Sequence, residues 1–258
     1  MKKVFFAAIA TAFLSAPAMA QTEANPMLNN ALGYLDTPYG ANTLEESTQE
    51  ELIINADEVD CTTLVEYVLA MSMCEEQGDD MQESEFAKNL EKIRYRDGKI
   101  DGYTSRLHYI TEWISDNVKK GTIEDVTAAH SKETTPVSVN FMSTHPELYK
   151  HLANSPSNVS KMAEIERRIS GQRVPFVSKA NVPAEGLDWI KNGDIIAFTT
   201  NRPGLDVSHM GIAIYIKGNL HLLHASSKEK KVVVDRLVLS RVLDRDKNVT
   251  GIRVVRMK

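Results

Sequence analysis

The sequence has little of what marks the unusual protein classes. Two cysteines in 258 residues cannot supply a disulfide framework. Thirteen glycines and nine prolines, without period or cluster, exclude collagen and low-complexity linkers. No long heptad tract is present, which excludes an extended coiled coil. Positive charge is also short: 30 basic residues face 35 acidic ones, a net charge of −5. A general nucleic-acid binder needs the opposite sign to neutralise phosphate. Beyond Leu14 no apolar run is long enough to cross a bilayer. The chain is 42% hydrophobic and 25% charged, the balance of an ordinary globular protein able to bury a core without metal or disulfide staples.

The first twenty residues read as a secretory leader. Lys2 and Lys3 form a positive start, Val4–Leu14 is an apolar run, and Ala18-Met19-Ala20 is a small-residue cleavage site. Cleavage after Ala20 leaves Gln21 first and a balance of 28 basic to 35 acidic residues. No cysteine sits at the cleavage point to carry a lipid anchor. The expectation is a periplasmic or secreted protein with no membrane anchor in the mature chain. Oxidising compartments favour disulfides, so Cys61 and Cys74 become informative. Leu64, Val68 and Met71 fall at i, i+4 and i+7, with Val65 and Leu69 beside them. That spacing predicts a helix over Thr62–Glu76. At ~1.5 Å per residue the two sulfurs lie roughly 20 Å apart, beyond disulfide reach. An unpaired thiol in such a chain is buried or used. Cys74 suits burial.

Residues 21–60 are mixed, with a turn at Pro38-Tyr39-Gly40 and an acidic stretch from Glu45 to Glu51. Asp60 is a candidate N-cap for the following helix, and Thr63-x-x-Glu66 a second capping signal. A helix is expected over Ser105–Lys120, with Leu107, Ile110 and Ile114 inward and Gly121 after it. Residues 122–158 read as irregular, and a short helix is expected over Ser160–Ser170. The last third changes character. Asp194–Thr200, His209–Ile216, Leu220–Ser226, Lys231–Arg236 and Gly251–Arg256 are β-branched runs, two of them joined by Lys217-Gly218-Asn219. Helices followed by antiparallel strands give an α+β fold.

Cys61 sits in the first turn of its helix, where free N–H groups and the dipole favour a thiolate and an oxyanion. A cysteine nucleophile needs a histidine base, and the base needs an orienting partner. His209 opens one strand and His224 lies on the next. Alternation turns His209 away from the side of Met210, Ile212 and Ile214. These residues alone leave a structural and a catalytic reading of Cys61 open. His221-x-x-His224 suggests a zinc pair, but residues three apart on a strand point to opposite faces and make poor joint ligands. No cofactor or metal is expected.

Asp60-Cys61-Thr62-Thr63-Leu64-Val65, His209-Met210-Gly211-Ile212-Ala213-Ile214 and Leu223-His224-Ala225-Ser226-Ser227 together resemble the three-part signature of NlpC-like cysteine peptidases, papain-like hydrolases of the bacterial cell wall. Ile93-Arg94-Tyr95-Arg96-Asp97-Gly98, Ser105-Arg106-Leu107-His108-Tyr109, Asn140–Pro146 and Gly204-Leu205-Asp206 are similar to their N-acetylmuramoyl-L-alanine amidase-like branch. The resemblance implies a papain-like core in which a helix-start nucleophile packs on a C-terminal antiparallel sheet. It divides the single catalytic domain, residues 21–258, into a core of about 30–77 and 190–258 and an insertion of about 78–189 that shapes the substrate pocket. It also implies Cys61 as nucleophile, His209 as base and His224 as orienter. The implied activity is hydrolysis of the lactyl–L-alanine amide in anhydro-muropeptides. The nearest alternatives are a γ-D-glutamyl-diaminopimelate endopeptidase and an inactive muropeptide-binding protein.

Tyr39 falls where many NlpC-like enzymes carry an active-site tyrosine, although its spacing to Cys61 is longer. The usual Asp-Cys-Ser-Gly reads Asp-Cys-Thr-Thr, which suggests a rebuilt pocket around Asp60. Arg94, Arg96 and Arg106 either hold a stem-peptide carboxylate or form structural ion pairs. Asn140 either meets an acetamido group or shapes a turn. His145 in its loop and Asp206 before His209 are further substrate-binding candidates. His108 is read as a packing histidine, and His130, His151 and His221 as surface residues. Oligomeric state is not legible in the sequence.

Overall fold

A computed structural model describes residues 25–45, 47–76 and 83–258. The expected leader and its cleavage site lie outside the described residues. The described helices are α1 (Pro26–Gly33), α2 (Cys61–Glu76), α3 (Glu83–Arg94), α4 (Ile110–Lys119), α5 (Val126–His130), α6 (Phe141–Thr144), α7 (Lys150–Ala153), α8 (Pro156–Ile169) and α9 (Leu239–Leu243). The strands are β1 (Ile123–Asp125), β2 (Thr134–Pro136), β3 (Arg173–Pro175), β4 (Val177–Ser178), β5 (Ile195–Thr200), β6 (Val207–Ile216), β7 (Asn219–Ser226), β8 (Lys231–Val234) and β9 (Val249–Met257). β2 and β3 form a separate antiparallel pair that brackets α6 to α8. The other strands make one antiparallel, seven-stranded sheet in the order β1-β9-β5-β6-β7-β8, with β4 also on β9. The fold is α+β.

Alternation along the strands sorts side chains to two faces. Ile195, Ala197, Met210, Ile212, Ile214, Leu223 and Ala225 meet the helical layer of α1, α2, α3 and α4. Ile196, Phe198, Ala213, Leu222, Ile252 and Val254 pack on the other side under α9 and the Val177–Ile190 segment. α2 is central. Leu64, Val65, Tyr67, Val68, Leu69, Ala70, Met73 and Cys74 are all buried, so the helix is covered nearly all round rather than along one stripe. Cys74 donates to the carbonyl of Ala70 and is not joined to Cys61. A third cluster, Tyr103, Tyr109, Val137, Val139, Met142, Leu152, Met162 and Ile165, forms the core of the middle region.

Several local expectations are corrected. The helix predicted from Ser105 starts at Ile110. Tyr95 and Arg106 form an antiparallel bridge, and Leu107 N–H donates to Arg94 O, so residues 106–109 are extended. α8 begins at Pro156, earlier than predicted, because Ser155 caps it through Asn158 N–H and proline suits the first helical position. The region read as irregular carries β1, β2 and α5 to α7. The β6–β7 turn is as the sequence suggests: Lys217 and Gly218 both have positive φ, 51° and 80°, as a tight hairpin requires.

Candidate active site

Asp60 builds the start of α2. Its Oδ1 accepts from Thr62 N–H at 2.9 Å and Thr63 N–H at 2.8 Å, while Thr63 Oγ1 accepts from Asp60 N–H at 2.8 Å. This reciprocal cap fixes Cys61 as the first helical residue. It also bears out one expectation and corrects another. One Asp60 carboxylate oxygen, Oδ1, serves the helix start, as the candidate N-cap requires. Glu66 does not reach back to the cap; it is buried and paired with Arg94 at 2.7 Å. With Thr62 and Thr63 N–H groups committed to Asp60, the N–H of Cys61 itself is the helix-start donor nearest the sulfur.

The half-buried Cys61 thiol is pushed up to about 11, first by burial and then by Asp60, against a backbone hydrogen bond from Met210. Desolvation and the cap carboxylate both favour the thiol, against the preference of a helix start for the thiolate. His209 is pushed down to about 3 by burial and by His224, opposed by Asp235. Both shifts favour the neutral forms of the pair. His209 Nε2 lies 2.7 Å from His224 Nδ1, with the rings nearly perpendicular at 88°. Phe198 meets His209 edge-on at 5.5 Å. The two histidines share a face of β6 and β7. Gly211 is required between them: a Cβ there would lie 2.7 Å from Leu223 O.

Burial also lowers His224, while Asp235 raises it. Asp235, just after β8, places Oδ2 3.7 Å from His224 Nε2. Arg245 Nη1 holds that same oxygen at 2.5 Å, and Leu237 N–H donates to Oδ1 at 2.9 Å. His221 turns elsewhere, its Nδ1 3.0 Å from Asp235 O, so His221 and His224 do not converge.

A cavity of about 200 Å³ lies at this point, lined by Cys61, Thr62, His108, Tyr109, Ile110, Met142, Tyr149, Asp206, Ser208 and His209 among others. Residues 108–110, Met142 and Tyr149 close it from the middle region of the chain. Asp206 is an expected residue found at the wall. Its Oδ2 accepts from Thr111 N–H at 2.6 Å and its Oδ1 from Val207 N–H at 2.9 Å. Burial raises its carboxyl despite these bonds. Tyr39 reaches the neighbourhood of the sulfur through a parallel bridge to Val59, and its phenol is raised by burial and by Cys61 and Asp60.

Other candidates are not at the cavity. Arg94 is 1% exposed, bound to Glu66 and to Ile53 O. Arg106 is 6% exposed and pairs with Glu45 at 2.7 Å and Glu50 at 3.1 Å. Arg96 makes a two-pronged pair with Glu112. These guanidiniums hold the acidic stretch and α4, the structural alternative. Asn140 is exposed at the start of α6; its N–H donates to Gly204 O and so anchors the loop that carries Asp206. His145 is exposed and stacked on Phe141 at 4.4 Å.

Sequence reasoning missed His108, Tyr109, Tyr149 and Asp235. His108 Nε2 lies 3.1 Å from Tyr103 O, and burial followed by Arg106 holds its imidazole well below the usual range. Its position became a wall because the chain is extended where a helix was expected.

The AmiA-like family, described as N-acetylmuramoyl-L-alanine amidase-like, matches residues 30–252. An N-acetylmuramoyl-L-alanine amidase from Bacteroides uniformis ATCC 8492 is 59% identical, with a TM-score of 0.87 over 90% of this chain and 97% of that one. A Bacteroides fragilis protein described as a "putative xylanase" is 63% identical, with a TM-score of 0.86 over 89% of this chain and 100% of that one. A Legionella pneumophila protein at 22% identity and TM-score 0.67, covering 90% and 88%, shares the fold. No curated protein matches the sequence. With a match across most of its length and close relatives on the same scaffold, the chain belongs to the N-acetylmuramoyl-L-alanine amidase-like family.

Proposed function

We propose that the protein is a cysteine-dependent amidase that cleaves the bond between the lactyl carbonyl of N-acetylmuramic acid and L-alanine, with soluble anhydro-muropeptides as substrates. The observation that carries this reading is one cavity shared by Cys61 at a capped helix start and His209 bonded to His224. His209 takes the thiol proton as Sγ attacks the lactyl carbonyl. Cys61 N–H, aided by the Tyr39 hydroxyl, receives the oxyanion. The C–N bond breaks as His209 returns the proton to the departing amine of the stem peptide. A thioester remains on the muramyl side. Water, deprotonated by His209, attacks it and releases the sugar acid and the thiol.

Family membership and the amidase relatives support the bond cleaved. The xylanase description of one relative fits the cavity poorly. Glycoside hydrolysis uses two facing carboxyl groups, and Asp206 is the single carboxylate among the lining residues, already engaged by two N–H groups. The leader-like Lys2-Lys3, Val4–Leu14 and Ala18-Met19-Ala20 support export and cleavage after Ala20. No described helix is long and apolar enough to cross a membrane.

Product masses from one purified anhydro-muropeptide test the proposal. Free disaccharide and an intact stem peptide are expected, lost in Cys61→Ala and retained in Cys74→Ala. A shortened glycopeptide instead identifies the γ-D-glutamyl endopeptidase, and tight binding without products identifies a binding protein. Normal turnover by Cys61→Ala removes the mechanism.

A further inference from the structure

We propose that Asp235, clamped by Arg245, is a positioning residue that sets the tautomer of His224 and, through it, the ring nitrogen that His209 offers to Cys61. The inference rests on the reading of Cys61 as nucleophile and His209 as base.

One hydrogen lies between His209 Nε2 and His224 Nδ1 at 2.7 Å. At that separation one nitrogen must donate and the other accept, and in the neutral pair the choice is between tautomers. Two arrangements satisfy that bond. In the first, His209 carries its proton on Nε2 and gives it to His224 Nδ1. His209 Nδ1 is then a bare lone pair, ready for the thiol proton, and His224 carries its proton on Nε2. In the second, His224 donates from Nδ1. His209 then accepts at Nε2 and is protonated at Nδ1, with no lone pair left for the thiol. Only the first can perform base catalysis.

The hydrogen bond itself does not choose between them, because its geometry is the same in both. The far side of His224 chooses. His224 Nε2 is buried and has no hydrogen-bond partner. Asp235 Oδ2 faces it at 3.7 Å. Asp235 receives only donors at its carboxyl group, Arg245 at Oδ2 and Leu237 N–H at Oδ1, the environment of an ionised carboxylate. Facing that oxygen, an Nε2–H is attracted and an Nε2 lone pair repelled. At 3.7 Å this is an electrostatic bias rather than a hydrogen bond, acting where water does not screen it. Asp235 is 7% exposed, and its own N–H donates to Leu222 O, so the backbone fixes its distance from the next strand's histidine. The bias passes from Asp235 to His224 to His209.

Asparagine at 235 keeps the shape and reverses the preference, because its amide N–H can donate to a bare Nε2. In the serine-protease triad the equivalent exchange leaves geometry intact and costs about 10⁴-fold through the wrong tautomer.

The test reads tautomers directly. In 15N-histidine-labelled protein at pH 7, long-range 1H–15N spectra should show His209 and His224 both protonated at Nε2 and bare at Nδ1. Protonation of His224 at Nδ1 in the unsubstituted protein overturns the proposal, and that measurement needs neither a variant nor activity. Asp235→Asn should move the pair toward Nδ1 protonation and lower kcat about 10²-fold with KM little changed, since Asp235 does not line the cavity; outer-shell losses of 10–100-fold are usual for such partners. Asp235→Glu should recover part of kcat. Unchanged tautomers and a kcat within twofold in Asp235→Asn overturn it. A protein with the expected tautomers that releases no stem peptide leaves the Asp235 assignment standing and removes the proposed reaction.

Discussion

Asp206 Oδ2 accepts the backbone N–H of Thr111 at 2.6 Å, across 95 positions of sequence. The loop before β6 thereby caps the first turn of α4, and one wall of the cavity is pinned to another. Asp206→Ala leaves the N–H groups of Thr111 and Val207 unsatisfied in a buried place. A loss of about 1–3 kcal/mol is expected, read from urea unfolding. Asp206→Asn, which keeps an acceptor, should lose less. Equal losses would mean that charge, not the cap, is what matters.

The neutral state of Cys61 and His209 predicts how the sulfur reacts. A preformed ion pair would alkylate at a constant rate from acid to neutral pH. A thiol pushed up to about 11 beside a histidine pushed down to about 3 should not. The iodoacetamide rate at Cys61, followed by mass spectrometry, should instead climb steadily from pH 6 to 10. A plateau below pH 7 would restore the thiolate–imidazolium picture.

Buried neutral histidines also set acid stability. An unfolded histidine takes up its proton near pH 6.5, whereas folded His209 waits until about 3. Between these values the unfolded chain binds more protons, so stability falls as pH drops through that window. His108 and His224, lowered by burial, act in the same direction. Replacing His209 by Gln should make the fall between pH 6 and 4 shallower in thermal melts. An unchanged slope would assign acid sensitivity to other groups.

Arg94 tests the difference between a ligand contact and a structural pair. Its removal strands Glu66 at 2% exposure. Arg94→Met should cost about 3–5 kcal/mol, and Arg94→Met with Glu66→Met should recover much of it. KM of whatever variant remains folded should stay near the original value. A large rise in KM with little loss of stability would return Arg94 to the list of substrate contacts.

Much of this arrangement is legible in the sequence, for identifiable reasons. α2 announces itself through Leu64, Val68 and Met71, and the Asp60 cap through the residues it needs. The long strands follow from β-branched runs punctuated by Lys217-Gly218, so His209 and His224 fall on neighbouring strands by counting alone. What escaped depends on distant partners. Residues 106–109 are extended because Arg106 bridges Tyr95 and its guanidinium reaches Glu45 and Glu50. No local period carries that information, so the sequence sets His108 on a helical stripe and leaves Arg106 open between a carboxylate ligand and a structural pair. Asp235 escaped because its relation to His224 crosses β7 and β8. The Cys61 proton affinity escaped because burial is a property of the whole packing.

The β6–β7 hairpin has a consequence for how the protein becomes active. His209 and His224 are joined through a tight turn by near neighbours in sequence, whereas Cys61 arrives from a helix in the first third of the chain. The histidine pair belongs to one contiguous piece and the sulfur to another. They meet only when the helical layer seats on the sheet. A chain that has made its hairpin but not its interior therefore holds the two histidines without the sulfur beside them. Under the proposed mechanism bond cleavage is a late event of maturation, and its onset during refolding reports the seating of the two layers more directly than any spectroscopic measure of strand or helix content.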